Sequence, residues 1–218
     1  MSNFKTHALS AVAASVLLLA STSAFSAPLA NGGFETGDLT GWDTSLSFLA
    51  AADTTYGPNP DYSPIEGQYL GSVTAGPQDT AVTLSQTFDL NAGDTVSGHV
   101  GFLSADYLNN DFATLTISDG ATSAQLFYSD VNTVGGLGGQ SGWTPFSYLA
   151  NGPGAFTLTL SVSNVGDFSY SSGAVIDGVT ITAAPTAAPE PATWALMMAG
   201  VFGVGGMLRI RRRVDHAV

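Results

Sequence analysis

The sequence predicts an all-β domain, an antiparallel sandwich or barrel, flanked by two apolar targeting segments. Three observations carry the β reading: hydrophobic residues recur with period two, turn residues separate these runs, and no helical period competes. The clearest run is Phe156, Leu158, Leu160 and Val162, with Thr157, Thr159 and Ser161 facing the other way. Val82, Leu84, Phe88 and Leu90 alternate likewise with Thr83, Ser85 and Thr87 across 81–90. Asn91-Ala92-Gly93-Asp94 is a turn, after which Val96, Val100 and Phe102 resume the period. Ala113, Leu115 and Ile117 repeat it before Ser118-Asp119-Gly120 turns the chain again. Weaker strands are expected over 46–50, 69–73, 125–128 and 175–182. Short strands with turns between them, over one domain length, indicate the sandwich or barrel.

Both ends read as export signals and are set aside from the fold. Ala8 to Ala20 is an unbroken small and apolar run behind Lys5, short for a bilayer span but suited to a signal-peptide core. Ala24-Phe25-Ser26 puts small residues at the −3 and −1 positions, so 1–26 is assigned as a signal peptide cut after Ser26. Cleavage after Ala24 is the alternative, and Pro28 disfavours a cut after Ala27. A second apolar run over about 192–208 would reach ~26 Å as a helix, slightly under a hydrocarbon thickness. Trp194 at one end and Arg209, Arg211, Arg212 and Arg213 at the other are the anchors expected of one transmembrane helix. The positive-inside rule places those arginines and the tail 214–218 in the cytoplasm, and the preceding chain across the inner membrane. A buried helix is the competing reading for each run, and neither run has a polar face to support it.

Between these ends lies one domain, 27–182, followed by a short Pro-bearing tether at 183–188. Its charge is one-sided. The five Lys and Arg residues of the chain are Lys5, Arg209, Arg211, Arg212 and Arg213, so the domain has none. Of the 17 Asp and Glu residues, all but Glu190 and Asp215 fall inside it. Nucleic-acid binding is excluded, because meeting phosphates needs cationic side chains. A buried carboxylate must find backbone N–H donors or a cation, and Ca²⁺ is the usual oxygen-seeking ion. With no Cys, neither disulfides nor thiol chemistry contribute.

The same inventory restricts catalysis. A Ser–His–Asp arrangement would have to use His99, which sits on the hydroxylated face of a strand with no nucleophile elbow nearby. Zinc chemistry needs more His or Cys ligands than the domain holds. Paired carboxylates are the remaining route, to glycoside hydrolysis, but acidic residues also keep an exported domain soluble, so no catalytic residue is assigned. The glycine-rich stretch 134–142 has no Lys to hold a phosphate and precedes no helix, and it reads as a flexible loop.

Glycan binding is the sharper expectation, since aromatic rings stack on sugar faces while polar neighbours fix their hydroxyls. Tyr56 and Tyr62 flank Gly57-Pro58-Asn59-Pro60-Asp61, Tyr107 opens Leu108-Asn109-Asn110-Asp111, and Trp143 follows the glycine stretch. These four are the candidate glycan contacts; their alternative role is to cap the core. Phe34 and Trp42 are assigned to core packing.

Pro189-Glu190-Pro191-Ala192-Thr193-Trp194-Ala195, the apolar span and Arg211-Arg212-Arg213 together resemble a PEP-CTERM sorting signal over 189–213. The resemblance implies that Pro189, Glu190 and Pro191 are a processing motif for an exosortase, a membrane enzyme of exopolysaccharide-making Gram-negative bacteria. An ordinary membrane anchor is the alternative. Signal peptidase and the secretion machinery are the other implied partners. Asn31-Gly32-Gly33-Phe34-Glu35-Thr36-Gly37 with Gly41-Trp42, and Val175-Ile176-Asp177-Gly178-Val179-Thr180-Ile181, resemble the opening and the last strand of galactose-binding-like and carbohydrate-binding jelly-roll modules. That resemblance implies a jelly-roll β-sandwich and a structural Ca²⁺ held by Glu35 and Asp177, tying the two termini together. Asp177 is expected on the face of Val179 and Ile181, inward or at the rim. Backbone donors capping both carboxylates, with no ion, are the alternative.

The expectation is an exported, non-catalytic protein of the cell surface or extracellular matrix, associated with exopolysaccharide or biofilm. Its alternatives are a specific carbohydrate-binding module and a small glycan-active hydrolase.

Overall fold

The computed structural model describes residues 28–57, 62–167 and 170–185. The segment read as a signal peptide, the Pro189–Pro191 motif, the apolar span and the arginine cluster lie outside the described residues.

Among the described residues ten strands form: β1 (Asp43–Thr44), β2 (Ala50–Asp53), β3 (Leu70–Thr74), β4 (Ala81–Leu90), β5 (Thr95–Leu103), β6 (Phe112–Ser118), β7 (Ser123–Asp130), β8 (Thr144–Leu149), β9 (Gly154–Ser163) and β10 (Gly173–Thr182). They build two five-stranded sheets, in the orders β1-β4-β9-β6-β7 and β2-β3-β10-β5-β8. Every pairing is antiparallel. From β3 onward the chain crosses between sheets at every connection except the β6–β7 hairpin, so the sheets stack as a β-sandwich.

The period-two residues meet in the middle. Leu84, Leu115, Leu158 and Leu160 of the first sheet are fully buried against Val100, Phe102 and Ile176 of the second. At roughly 1.5–3 kcal/mol per buried Leu, Val or Phe side chain, this layer is the main favourable term in folding. One inward position of β4 is polar. Gln86 is 4% exposed, and its amide donates to Ala30 O (2.8 Å) and accepts from Ala30 N–H (2.7 Å), so the opening segment is stitched to the sheet. Phe34 is fully buried and stacks on Trp42 at 5.1 Å; it lies over Gly71 of β3, where any Cβ would collide with the ring.

Three local expectations are corrected. The strand expected at 46–50 is instead a 3₁₀ turn at Ser47–Leu49 leading into β2, with Leu49 N–H bonded to Leu46 O (3.0 Å). Leu46 and Leu49 both pack on the core, and that three-residue spacing suits a helical turn and not a strand. β8 went unread because Pro145 interrupts it; as an edge strand paired only to β5, it loses no ladder bond to the proline. The glycine-rich stretch is not free. It opens as a helical turn, α1 (Val131–Val134), capped by Asp130 and by Gly135 at φ 89°. It then folds back on the end of β5 through Gly138 N–H to Ser104 O (2.8 Å) and Ser104 N–H to Gly139 O (2.9 Å).

The last strand carries a fourth correction. A one-residue bulge lies between Asp177 and Thr180, with Gly178 at φ 61°. The bulge reverses the parity of the strand, so Ile176 and Val179 both reach the core while Asp177 faces the outer side of its sheet. There Asp177 is fully buried and accepts N–H bonds from Ile65 (2.7 Å), Glu66 (3.3 Å) and Gly178 (2.7 Å). Burial pushes its carboxyl above the usual range despite those donors. Glu35 grips the same segment, accepting from Gln68 (2.9 Å) and Tyr69 (2.9 Å), while Val179 N–H bonds Gly32 O (3.0 Å).

The two ends of the domain are therefore joined through one loop and one backbone bond. N–H groups aim at the oxygens of both carboxylates, and no three Asp, Glu or His groups converge on a metal site among the described residues. Both carboxylates are capped by backbone N–H groups in this geometry. Chelation by EDTA is expected to leave the melting temperature of the purified protein unchanged. A drop on EDTA, reversed by Ca²⁺, would show an ion at Glu35 and Asp177.

Candidate functional site

The four aromatics singled out from the sequence separate into two groups. Tyr56, Tyr62 and Trp143 come together on the outer face of the β2-β3-β10-β5-β8 sheet, over Leu70, Leu103 and Val175. Glycines make room for them: a Cβ on Gly101 would sit 2.5 Å from Tyr62, and one on Gly173 would run into Tyr56. The Tyr62 hydroxyl donates to Phe102 O (2.9 Å), Tyr56 shares a hydrogen bond with Thr74 (2.8 Å), and Trp143 Nε1 donates to Ser63 O (3.0 Å). Tyr62 is only 3% exposed and Trp143 meets it edge-on at 5.1 Å, so these rings seal a second small core.

Tyr107 behaves differently. It is 54% exposed, and so is Tyr170, a residue the sequence reading passed over; their ring centroids are 5.4 Å apart at 63°. Tyr170 holds a positive φ of 58°, unusual for a bulky residue, and this left-handed backbone presents the ring to solvent. Leu108 beside them is more open still. The charge of Tyr170 first, then its hydroxyl hydrogen bond, raises the Tyr107 phenol above its ordinary value, with smaller contributions from Asp106 and Asp167.

The loops that carry this pair are fixed by carboxylates. Asp106, fully buried, accepts from the N–H of Leu108 (2.7 Å) and of Tyr107, setting the turn that opens the 104–111 loop. Burial pushes Asp106 up, but the N–H donors of Leu108, Tyr107 and Asn109 outweigh it and leave the carboxyl below its usual range. Asn109 Nδ2 crosses to Asp167 in the 164–172 loop (2.7 Å). Asp111, also fully buried, accepts from Val165 N–H (2.8 Å), which ties the same two loops a second time. Gln78 and Asp79 bond the backbone of Gly166 from the 75–80 loop (2.9 and 3.1 Å).

The remaining candidates serve the fold or stay apart. Glu35 and Asp177 cap the 65–69 segment. His99 pairs in register with Asp177, and its Nδ1 is buried without a hydrogen-bond partner. A cleft between the 119–122 and 150–153 turns is floored by Tyr148 and Phe156, both packed into the core. The one exposed aromatic pair among the described residues held on cross-bonded loops is Tyr107–Tyr170. A run of serines beside Tyr170 was the only sequence signal for it.

Asp130 closes this end from the other side. Its carboxyl is held down to about 2, first by the Thr133 hydroxyl, then by Thr133 N–H, the Asn110 amide and the Tyr128 hydroxyl. The stability it contributes is therefore full above the ordinary carboxylate value of about 4 and is lost as pH falls toward about 2. Asp111, raised by burial, has the opposite sign, since protonation favours the folded form. In urea unfolding at stepped pH, the stability gap between the wild type and Asp130→Ala is expected to close across that window. A gap that stays constant would show that Asp130 ionisation contributes nothing.

No family model and no curated protein sequence matches this chain. Solved structures do. TmCBM61, in complex with β-1,4-galactotriose, is similar with a TM-score of 0.51 at 21% identity, over 72% of this chain and 98% of that one. A family 16 carbohydrate binding module-2 has a TM-score of 0.43 at 14% identity, over 70% of this chain and 97% of that one. The CBM22-1 xylan-binding domain from Paenibacillus barcinonensis Xyn10C gives 0.43 at 14%, over 75% and 95%. At these identities the likeness is one of fold alone, a β-sandwich like that of TmCBM61.

Proposed function

We propose that this chain is an exported, non-catalytic carbohydrate-binding module that holds polysaccharide at the Tyr107–Tyr170 end of its sandwich. The observation that carries this reading is the exposed tyrosine pair itself, open to solvent on loops locked by Asp106, Asn109 and Asp111. Exposed rings on a rigid support are what a sugar face needs for stacking, because little loop entropy is lost on binding. TmCBM61 was solved with β-1,4-galactotriose, which supports the use of this fold for glycans.

The position of the pair suits an anchored protein. Tyr170 lies three residues before β10, whose ten residues run about 33 Å to the opposite end. There Asp94 accepts from Ala184 N–H (2.9 Å) and fixes where the chain leaves the domain. On this reading the tether and the sorting segment depart from one end and the tyrosines project from the other. The Pro189-Glu190-Pro191 tripeptide, apolar run and Arg209–Arg213 cluster support delivery by an exosortase-type system to the surface or matrix of a Gram-negative cell.

Two measurements test these claims. On a glycan array, saturable binding to at least one polysaccharide is expected, with Tyr107→Ala and Tyr170→Ala each weakening it by about 1 kcal/mol or more. No saturable binding to any glycan would sink the module reading. In the producing cell, replacing Pro189, Glu190 and Pro191 with alanine is expected to hold the protein in the inner-membrane fraction. Unchanged delivery to the surface would refute exosortase sorting.

A further inference from the structure

We infer that the Tyr107–Tyr170 end selects glycans bearing free amino groups, polymers of hexosamine without N-acetyl groups, over neutral and anionic glycans. The inference rests on the proposed glycan-binding role and adds the class of ligand. Its basis is charge complementarity combined with ring chemistry.

Asp106 accepts the N–H of Tyr107 itself, Asp167 is bonded to Asn109 two residues further on (2.7 Å), and Asp79 is bonded into the same loop cluster through Gly166. Neither Lys nor Arg occurs anywhere in the domain, since all five lie at Lys5 or beyond residue 208. The field at this end is therefore negative, with nothing cationic to offset it. A uronic acid, sulfate or phosphate on a sugar is repelled here, and no side chain is present to pair with it.

An ammonium gains twice. Over the open face of Tyr107 or Tyr170 it meets the negative side of the ring quadrupole, which is worth about two- to fivefold in affinity at an exposed site. Beside Asp167, which is half-buried, it adds a charge pair of similar or smaller size. A neutral sugar gains only the stacking. Together the two effects correspond to roughly tenfold selectivity for the amine form. The loops need not rearrange, because Asn109 and the N–H groups already hold Asp167 and Asp106 in place.

The test compares β-1,4-linked glucosamine oligomers with fully N-acetylated oligomers of the same length. Binding to the purified protein is measured by calorimetry at a pH between the pKa values of the carboxylates and of the amine. The amine oligomer is expected to bind roughly tenfold tighter at low salt, with the advantage shrinking as salt is added. Asp167→Asn keeps an oxygen for Asn109 and is expected to lower the ratio of amine to N-acetylated affinity severalfold. Tyr107→Ala and Tyr170→Ala are expected to weaken both ligands.

Other outcomes overturn the inference. Equal affinity for the two oligomers, or tighter binding of the N-acetylated one, removes the selectivity while leaving glycan binding intact. Undiminished amine binding in both tyrosine variants would assign the attraction to the acidic surface at large and not to this site. Loss of saturable binding to every glycan would overturn this inference and the module reading together.

Discussion

A domain with many carboxylates and no Lys or Arg has no such ion pair with which to bury an acid, and this one surrounds its buried acids with hydrogen-bond donors. That constraint organises the structure. Asp106, Asp111 and Asp177 are fully buried; Asp106 is met by backbone amides of its own turn, Asp111 and Asp177 by those of a neighbouring loop. An unpaired buried charge would be prohibitive, whereas an N–H-capped carboxylate joins two segments that share no sheet. The bonds from Asp111 to Val165 and from Asp177 to Ile65 do the work that disulfides or ion pairs do in other exported domains. Where donors are few for the depth of burial, as at Asp111 and Asp177, the carboxyl is pushed up; where they suffice, as at Asp130, it is held down.

The aromatic residues sort by the backbone beneath them. Tyr56 and Tyr62 lie against Gly173 and Gly101, where the missing side chains let a ring press on the sheet. Tyr107 and Tyr170 stand on loops with no such recess, and the left-handed backbone at Tyr170 turns its ring outward. The same residue type thus completes a core in one place and offers a surface in another. Exposure follows from the local backbone and from what lies across the sheet, and neither is written in the tyrosine itself.

Much of the fold was legible in the sequence. The boundaries of β4 matched the alternating run 81–90, and the centres of β5, β6 and β9 fell where period two placed them. Such strands have one face on the core and one in solvent, so the hydrophobic pattern alone specifies them. The misreadings share a cause. The 3₁₀ turn before β2 and the proline-bearing β8 depend on edge position and on packing partners, which leave no period. The bulge at Gly178 reversed the face of Asp177, a one-residue effect that no alternation rule can detect beforehand.

The sequence by itself determined the β class, the one-sided charge and the lack of cysteine. Each of these follows from composition and short-range periodicity, which do not depend on what folds against what. Only the tertiary structure decided which carboxylates are buried and which aromatics stay open. Those assignments come from contacts between residues far apart in the chain: Asn109 with Asp167, Glu35 with Gln68, Tyr107 with Tyr170. A lone tyrosine in a polar loop reads the same whether it seals a core or faces solvent. The glycine opposite it, or the second tyrosine beside it, settles which.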